Sequence, residues 1–414
     1  MFKISEEELN EYAKLCVEIG VNVVKGQPLV IEGPVEAYEL IRKCSEIAYL
    51  KGASTVRVDY SDADRKRMSF EYETEEQLKT IPSWTLDKLQ YNIDTNYCRL
   101  VIIGEDPDLL KGIDSNKINN VSLVRMKATN KFQYYLTNNL GQWCIVAYPE
   151  LNWAKKVFPD KSDGEAMEAL WKAILYTSRV EVNKTVDNWK KHNAEIKEHT
   201  KILNKYNFKS LHFKNSLGTD LTVGLIKDHI WEGGCDKSRG EYKVDFNANI
   251  PTEEAFTMPD RFNINGTVYS SKPLSYRSNV IPSFNLTFKD GRVVDYKADK
   301  NEAILKDLLD TDEGSRSLGE VALVPYDSPI SKSNILFYET LFDENASCHL
   351  ALGACYPTNV KGGVDMSEDE LYELGGNKSM NHVDFMFGTS DMSIVGTTYD
   401  GEEIEVFRNG NFVF

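Results

Sequence analysis

The second half of the chain carries side chains able to hold divalent cations, and one of them lies in the stretch LFDENASCHLALGACYP, residues 341–357. If residues 346–353 form a β-strand, successive side chains point to opposite faces. Cys348 then shares an apolar face with two leucines, whereas His349 lies on the other face between a serine and an alanine. These small neighbours leave space for a ligand beside the imidazole, although a buried histidine bonded to a carbonyl oxygen is the alternative interpretation.

A second histidine lies in the stretch MNHVDFMFG, residues 380–388. His382 and Asp384 are two positions apart, so on a strand they share one face with their Cα atoms about 7 Å apart. Such a pair can bind a metal ion, because imidazole and carboxylate are both ligands of zinc and related cations. A hydrogen-bonded surface pair is the alternative.

Carboxylates in the same half occupy sequence contexts that are unusual for a solvated surface. Glu320 directly precedes the apolar run VALV, and the pair Glu253 and Glu254 directly precedes an alanine and a phenylalanine. A single catalytic zinc usually takes three protein ligands, whereas two cations joined by a carboxylate would use about twice that number. Four carboxylates would also balance the charge of two dications, without which they would repel one another. The candidate ligands are Glu253, Glu320, Glu344, His349, His382 and Asp384.

Other catalytic designs find no support in the sequence. The chain lacks HExxH and GxSxG, the motifs of helix-borne zinc proteases and of nucleophile-elbow serine hydrolases. A cysteine nucleophile at Cys348 is disfavoured, because a residue adjacent to His349 on a strand points to the opposite face and should lie in the core. No GxGxxG or GxxxxGKS/T motif follows a predicted strand, which leaves a nucleotide site without support.

Two kinds of element must position these residues. The first half alternates apolar strands with amphipathic helices, as in the strand at 28–33 and the helix at 37–50. This alternation predicts an α/β region with a mainly parallel sheet and flanking helices. From Phe208 onward, short alternating segments separated by Asn-Gly and Asp-Gly turns predict a β-rich α+β region. We therefore predict an α/β scaffold domain at 1–205 and a β-rich catalytic metal-binding domain at 206–414.

Composition and charge restrict the partners and the compartment. With 48 basic and 64 acidic residues among 414, the net charge is −16, which disfavours nucleic acid because phosphate contacts need a basic surface. The seven cysteines form no CxxC pair, which indicates reduced thiols in a cytoplasmic protein. No apolar run approaches the roughly 20 residues of a membrane span, so we expect no membrane partner.

Four phrases of the second half resemble one known family, the aminopeptidase T/aminopeptidase S family of dinuclear metallo-aminopeptidases. They occur in the family's order and near its spacing, whereas the first half agrees in length and α/β character only. The phrases are PTEEAFT (251–257), LGEVALV (318–324), LFDENASCHLALG (341–353) and HVDFMFG (382–388).

This resemblance implies a cytoplasmic, dimeric exopeptidase of broad specificity that acts on peptides with a free N-terminus. It implies two divalent metal ions per chain (zinc, cobalt or magnesium), held by the six candidate ligands with Glu320 between the ions. Tyr356 matches a family tyrosine at the metal centre and would donate to the developing oxyanion.

The sequence does not assign the base that would activate water; the candidates are Glu253 and Glu254, although alternation along a strand would turn Glu254 away from the ligand next to it. Two alternatives keep the metals but change the function. One is hydrolysis of phosphoesters, for which few basic residues adjoin the ligands. The other is a non-catalytic metal-binding protein, whose site should be closed rather than flanked by small residues.

Overall fold

The computed structural model describes residues 3–276 and 279–414, and the chain divides into two compact units. Unit 1 comprises Met1–Lys191 and Cys235–Pro251, and unit 2 comprises His192–Gly234 and Thr252–Phe414. Each unit therefore draws on two separate parts of the chain.

Helices are concentrated in the first half of the chain and strands in the second. The α-helices are α1 (Glu6–Lys14), α2 (Tyr38–Leu50), α3 (Ala63–Tyr72), α4 (Glu75–Lys79), α5 (Ser83–Asp94), α6 (Ser115–Ala128), α7 (Asn130–Thr137), α8 (Leu151–Val157), α9 (Asp163–Thr177), α10 (Thr185–Tyr206), α11 (Glu302–Leu309), α12 (Pro329–Ser333), α13 (Thr340–Asp343) and α14 (Glu368–Leu374). Among the described residues, no helix combines the length and the apolar character that crossing a membrane requires.

The strands range from two to eleven residues. They are β1 (Leu29–Pro34), β2 (Val56–Ser61), β3 (Cys98–Ile103), β4 (Trp143–Ala147), β5 (Ser210–Lys214), β6 (Asp220–Leu225), β7 (Glu232–Gly233), β8 (Asp236–Lys237), β9 (Asp245–Phe246), β10 (Ala255–Thr257), β11 (Pro259–Tyr269), β12 (Leu274–Tyr276), β13 (Asn279–Ile281), β14 (Phe284–Lys289), β15 (Arg292–Ala298), β16 (Leu318–Leu323), β17 (His349–Gly353), β18 (His382–Met386), β19 (Ser393–Thr397), β20 (Glu403–Arg408) and β21 (Asn411–Phe412).

Unit 1 contains a four-stranded parallel sheet with the strand order β2-β1-β3-β4. Strand β1 lies between β2 and β3 and has the sequence LVIEGP. It is buried at all positions but one, as expected of a parallel strand covered by helices. The predicted strand at 28–33 and helix at 37–50 correspond to β1 and α2, with bounds that differ by one residue. The α/β character predicted for the first half is confirmed.

Unit 2 contains two larger sheets that share one apolar core. The eight-stranded sheet has the order β15-β14-β11-β6-β5-β19-β20-β21, and the five-stranded sheet has the order β18-β17-β16-β10-β7. The five-stranded sheet contributes Leu350 and Leu352 from β17 and Val321 and Leu323 from β16 to this core, all fully buried. Because side chains alternate along a strand, the opposite face of the same strands is free to carry polar residues.

These units differ from the predicted domains, 1–205 and 206–414, in two places. The division falls inside α10 rather than after it. Residues 235–251 belong to unit 1 because their backbone pairs there: Ile145 and Asn249 form a parallel bridge, and Ile250 N donates to Ile145 O at 3.0 Å. Local sequence patterns do not indicate a pairing between segments so distant in the chain.

Candidate metal centre

One face of the five-stranded sheet carries three of the candidate ligands. Directly opposed residues of an antiparallel pair point to the same face. His349, Ala351 and Gly353 alternate along β17 and therefore share one face. Ala351 opposes Asp384 of β18, and Gly353 opposes His382. The two histidines and Asp384 therefore lie on the face turned away from the core leucines of β17.

A β-bulge in β16 turns Glu320 onto this face. Leu318 opposes a core leucine of β17, whereas Glu320 opposes Ala351, so Gly319 is the additional residue. Without the bulge, the two-residue period would keep Glu320 on the core face with Leu318. Only a glycine fits at the bulge without displacing its neighbours, because a Cβ on Gly319 would lie 2.1 Å from Ala354 O.

The carboxylates and imidazoles of this face form two groups that share Glu320. In the first group, His349 Nε2 lies 3.1 Å from Glu254 Oε2 and 3.3 Å from Glu320 Oε1. In the second, His382 Nε2 lies 3.8 Å from Glu320 Oε2 and 3.5 Å from Asp384 Oδ1. Within each group the ligand atoms lie within 4.8 Å of one another. Each oxygen of Glu320 thus faces a different histidine, so this carboxylate belongs to both groups.

Backbone carbonyl groups orient both imidazoles. His382 Nδ1 donates to Ala354 O at 2.7 Å, and His349 Nδ1 donates to Ser347 O at 3.4 Å. Because a carbonyl oxygen can only accept, Nδ1 carries a proton in both rings, and Nε2 is the nitrogen that faces the carboxylates. Metal-binding histidines are commonly fixed in this way, since the bond from the other nitrogen sets the tautomer and the ring orientation.

The charged groups of this cluster shift one another's pKa. Burial, followed by the charge of Asp384, holds the pKa of Glu344 well above its usual range. Burial also raises the pKa of Glu320, although the hydrogen bond from His349 opposes this effect. Burial would lower the pKa of His382, but Asp384 and Glu320 raise it to about 10. Four carboxylates, one buried and three half-buried, beside two imidazoles are therefore short of positive charge, which bound cations would supply.

Asp384 gives a direct sign that a cation fits here. Its Oδ1 is buried and accepts no hydrogen bond from the described residues, although His382 Nε2 lies 3.5 Å away. A buried carboxylate oxygen without a donor is costly, and a cation would satisfy it. Imidazole nitrogen and carboxylate oxygen suit zinc and cobalt, and the high share of oxygen also suits magnesium.

The pair Glu253 and Glu254 is arranged differently from the prediction. Glu253 belongs to neither group, and its Oε2 lies 3.8 Å from His192 Nε2. Glu254, which the alternation rule would have turned away, lies in the first group instead. The rule does not apply to these two residues, because β10 begins only at Ala255.

Glu344 and Asn345 precede β17 in a short 3₁₀ turn, Glu344–Ala346, and the strand predicted at 346–353 begins only at His349. Glu344 belongs to neither group, but its pKa responds to carboxylates of both. Asn345 was not singled out in the sequence. It donates from Nδ2 to Glu344 Oε1 at 3.4 Å and accepts from Glu253 N at 2.7 Å, so its amide connects two acidic segments. Its position next to Glu344 is the only signal that could have indicated this role.

Tyr356 lies beside the second group. Its ring centroid is 4.8 Å from that of His382 and 6.3 Å from that of Phe256. Burial, followed by the charges of Glu320 and Asp384, raises the pKa of the Tyr356 hydroxyl well above its usual range, so the hydroxyl keeps its proton at neutral pH. The residue is nevertheless 37% exposed. It can therefore donate a hydrogen bond to a ligand that arrives from solvent.

A sheet face with two histidine–carboxylate groups, a shared glutamate and a nearby tyrosine is typical of a metal-dependent enzyme. Comparison with known proteins identifies the family. Residues 5–412 match the family described as Thermophilic metalloprotease (M29), and the chain belongs to this family.

Relatives that are named as aminopeptidases span nearly the whole chain. It is 44% identical to aminopeptidase AmpS of Bacillus subtilis (strain 168), with 99% of each chain covered, and 42% identical to aminopeptidase 2 of Geobacillus stearothermophilus, with 99% of this chain and 98% of the relative covered. The solved structure of wild-type AmpT from Thermus thermophilus matches with a TM-score of 0.92 at 36% identity, covering 99% of this chain and 100% of that chain. The predicted family and metal-dependent aminopeptidase activity are confirmed.

A more distant structure shares the fold alone. A 2,5-dihydroxypyridine dioxygenase from Pseudomonas putida KT2440 matches with a TM-score of 0.51 at 11% identity. The architecture therefore does not determine the reaction, and the function has to be argued from the side chains of the site.

Proposed function

We propose that this face of the five-stranded sheet is the catalytic centre of the metal-dependent aminopeptidase and that it holds two divalent cations. The observation that carries the proposal is the position of Glu320, which places one oxygen 3.3 Å from His349 and the other 3.8 Å from His382. Zinc, cobalt or magnesium suits these donors. The proposed ligands are Glu254, Glu320, Glu344, His349, His382 and Asp384.

When bound, two such cations lower the pKa of a water molecule and polarise the carbonyl group of the scissile bond. The chain's own residues supply the remaining chemistry. Tyr356 would donate its hydroxyl proton in a hydrogen bond to the oxygen on which negative charge develops. Glu253 remains the proposed base: it is buried next to Glu254, and its carboxylate lies 3.8 Å from the imidazole of His192. It would take a proton from the attacking water and return it to the leaving amine.

We further propose that unit 2 is the catalytic domain and unit 1 a scaffold domain, in a cytoplasmic homodimer with broad preference for the N-terminal residue. All proposed ligands belong to unit 2, and the relatives' names support peptides with a free N-terminus as substrates. Light scattering of the purified protein tests the dimer. A mass equal to that of one chain at working concentration would contradict it.

Bound-metal content tests the centre itself. Elemental analysis of the purified protein should give two ions per chain, and Glu320→Gln should hold at most one and lose most peptide hydrolysis. Chelation should abolish hydrolysis, and adding zinc or cobalt should restore it. Full activity in metal-free protein would refute the proposal, and a stoichiometry of one ion in the fully active protein would refute the shared carboxylate.

A further inference from the structure

A cavity of about 390 Å³ opens in unit 2 beside the segments that lead into β16 and β18. Gly314 and Ser317 border it just before β16, and residues 377–380 border it just before β18. Arg261 of β11 and Tyr372 of α14 complete the wall. None of the lining residues is a proposed metal ligand, so this cavity is a separate feature that the aminopeptidase reaction leaves unexplained.

Arg261 lies in this wall, and no acidic side chain among the described residues pairs with it. Its guanidinium carbon lies 3.5 Å from the centroid of the Tyr372 ring and 3.9 Å from that of Phe262, and these cation–π contacts fix the plane of the group. Its Nε is buried without a hydrogen-bond acceptor in the described part of the chain. The adjacent carboxylate of Asp260 is turned elsewhere, since it accepts from Phe262 N and Asn263 Nδ2.

The other charged groups of the lining already have partners. Arg292 pairs with Glu313 at 3.2 Å, and Lys378 pairs with Glu368 at 2.7 Å. Asp312 accepts hydrogen bonds from two serine hydroxyls and two backbone N–H groups. Within residues 3–276 and 279–414, Arg261 is thus the one cation of the lining that has no carboxylate partner.

We propose that this cavity binds a small monocarboxylate, such as an amino acid derivative or the C-terminus of a short peptide, with Arg261 as its anchor. A planar guanidinium donates two parallel N–H groups to the two oxygens of a carboxylate. A carboxylate would give Arg261 the partner it lacks, whereas a phosphate dianion would add a second negative charge to a lining that already holds the carboxylates of Asp312, Glu313 and Glu368. The rings of Phe262 and Tyr372 already restrict the arginine side chain, so little of its conformational freedom is lost on binding. The proposal goes beyond the proposed function and does not depend on it.

Calorimetric titration of the metal-loaded, full-length protein with N-acetyl-L-leucine tests the proposal. This probe carries a carboxylate and an apolar side chain but no free amine or second residue, so it is not an aminopeptidase substrate. Saturable binding is expected, and Arg261→Met should weaken it at least roughly tenfold because a charge-assisted bidentate contact is lost. Arg261→Lys keeps the charge but not the planar fork and should also weaken binding. Arg42→Met removes an arginine that lies over another tyrosine, Tyr38, at 5.1 Å in unit 1, and it should bind like the wild type.

Several results would overturn the proposal. They are the absence of saturable binding to the wild type, equal affinity in Arg261→Met, and equal weakening in Arg42→Met. Binding that disappears on chelation but survives Arg261→Met would place the probe at the metal centre. Inorganic phosphate serves as the second probe, and Arg261-dependent binding of phosphate without binding of N-acetyl-L-leucine would refute the carboxylate. If Arg261→Met fails to give the circular dichroism spectrum of the folded protein, Arg261→Lys decides.

Discussion

Glu253 and Glu254 are neighbours in the chain but have different surroundings: Glu254 Oε2 lies 3.1 Å from His349 Nε2, whereas Glu253 Oε2 lies 3.8 Å from His192 Nε2. We expect Glu254→Gln to lower the bound metal per chain, since a neutral amide is a weaker ligand than a carboxylate. Glu253→Gln should keep its metal and lose about 10²–10⁴-fold in kcat, the usual contribution of a general base. Elemental analysis and steady-state kinetics of both variants distinguish the metal ligand from the base. The reverse pattern would show that Glu253 is the ligand and Glu254 the base.

The residues of the site were predictable from the sequence to different degrees. His382 and Asp384 could be placed together because a strand has a fixed two-residue period, and β18 indeed carries both. The same rule failed for Glu253 and Glu254, which lie before a strand rather than within it. The connection made by Asn345 depends on contacts with Glu253, far away in the chain, and no local pattern indicates such contacts.

At the scale of elements, the bulge in β16 determines which face Glu320 occupies. A Cβ at Gly319 would lie 2.1 Å from Ala354 O and 2.4 Å from Gly353 O, so Gly319→Ala should push β16 away from β17 and displace the Glu320 carboxylate. We expect this substitution to lower the free energy of unfolding by about 1–3 kcal/mol. It should also lower kcat/KM by about tenfold or more. Thermal unfolding and peptide hydrolysis measure the two effects.

The matched control for this substitution is Gly164→Ala in α9, where a Cβ would meet nothing within 4 Å. It should leave kcat/KM unchanged and Tm equal or slightly higher, since alanine favours a helix more than glycine does. Wild-type stability and activity in Gly319→Ala would show that the bulge does not depend on glycine.

Asp312 connects the segment before β16 to the segment before β18 through hydrogen bonds. Its carboxylate accepts from Ser315 N at 2.9 Å, from Ser379 Oγ at 2.8 Å and from Met380 N at 2.6 Å. Burial would raise the pKa of Asp312, but these hydrogen bonds lower it below the usual range. The ionised carboxylate of Asp312 therefore stabilises the folded state at pH values above the pKa of an unfolded aspartate, about 3.9. It is lost as the pH falls through the lower pKa of the folded state.

Asp312→Asn should consequently lower the Tm at pH 7, and its deficit relative to the wild type should shrink as the pH falls below about 4. The neighbouring variant Glu313→Gln is the control, because Glu313 is 82% exposed and forms only a surface ion pair. Its Tm should stay close to that of the wild type. A deficit of Asp312→Asn that stays constant across this pH range would show that the charge of Asp312 contributes nothing.

At the scale of the whole molecule, the sequence predicted an α/β first half and a β-rich second half, because strand and helix periods are visible locally. It did not predict that Cys235–Pro251 belongs to unit 1, nor the order of the eight-stranded sheet. Both depend on pairing between segments that are far apart in the chain, such as β5 with β19. The sequence of a strand shows its own alternation of apolar and polar residues, but it does not show which strand it pairs with.

The activity of the whole chain should depend on a free amine at the N-terminus of the substrate. The net charge of −16 favours the approach of a cationic N-terminus. An α-amine titrates near pH 7.7–8.0, so close to neutral pH part of the substrate carries a neutral N-terminus whose lone pair would be available to the proposed centre. N-acetylation removes that lone pair. It should lower kcat/KM by orders of magnitude for otherwise identical peptides, whereas amidation of the C-terminus, the matched control, should change it little. Mass spectrometry should show single residues released in order from the N-terminus, and comparable cleavage of the acetylated peptide, or internal fragments, would indicate an endopeptidase instead.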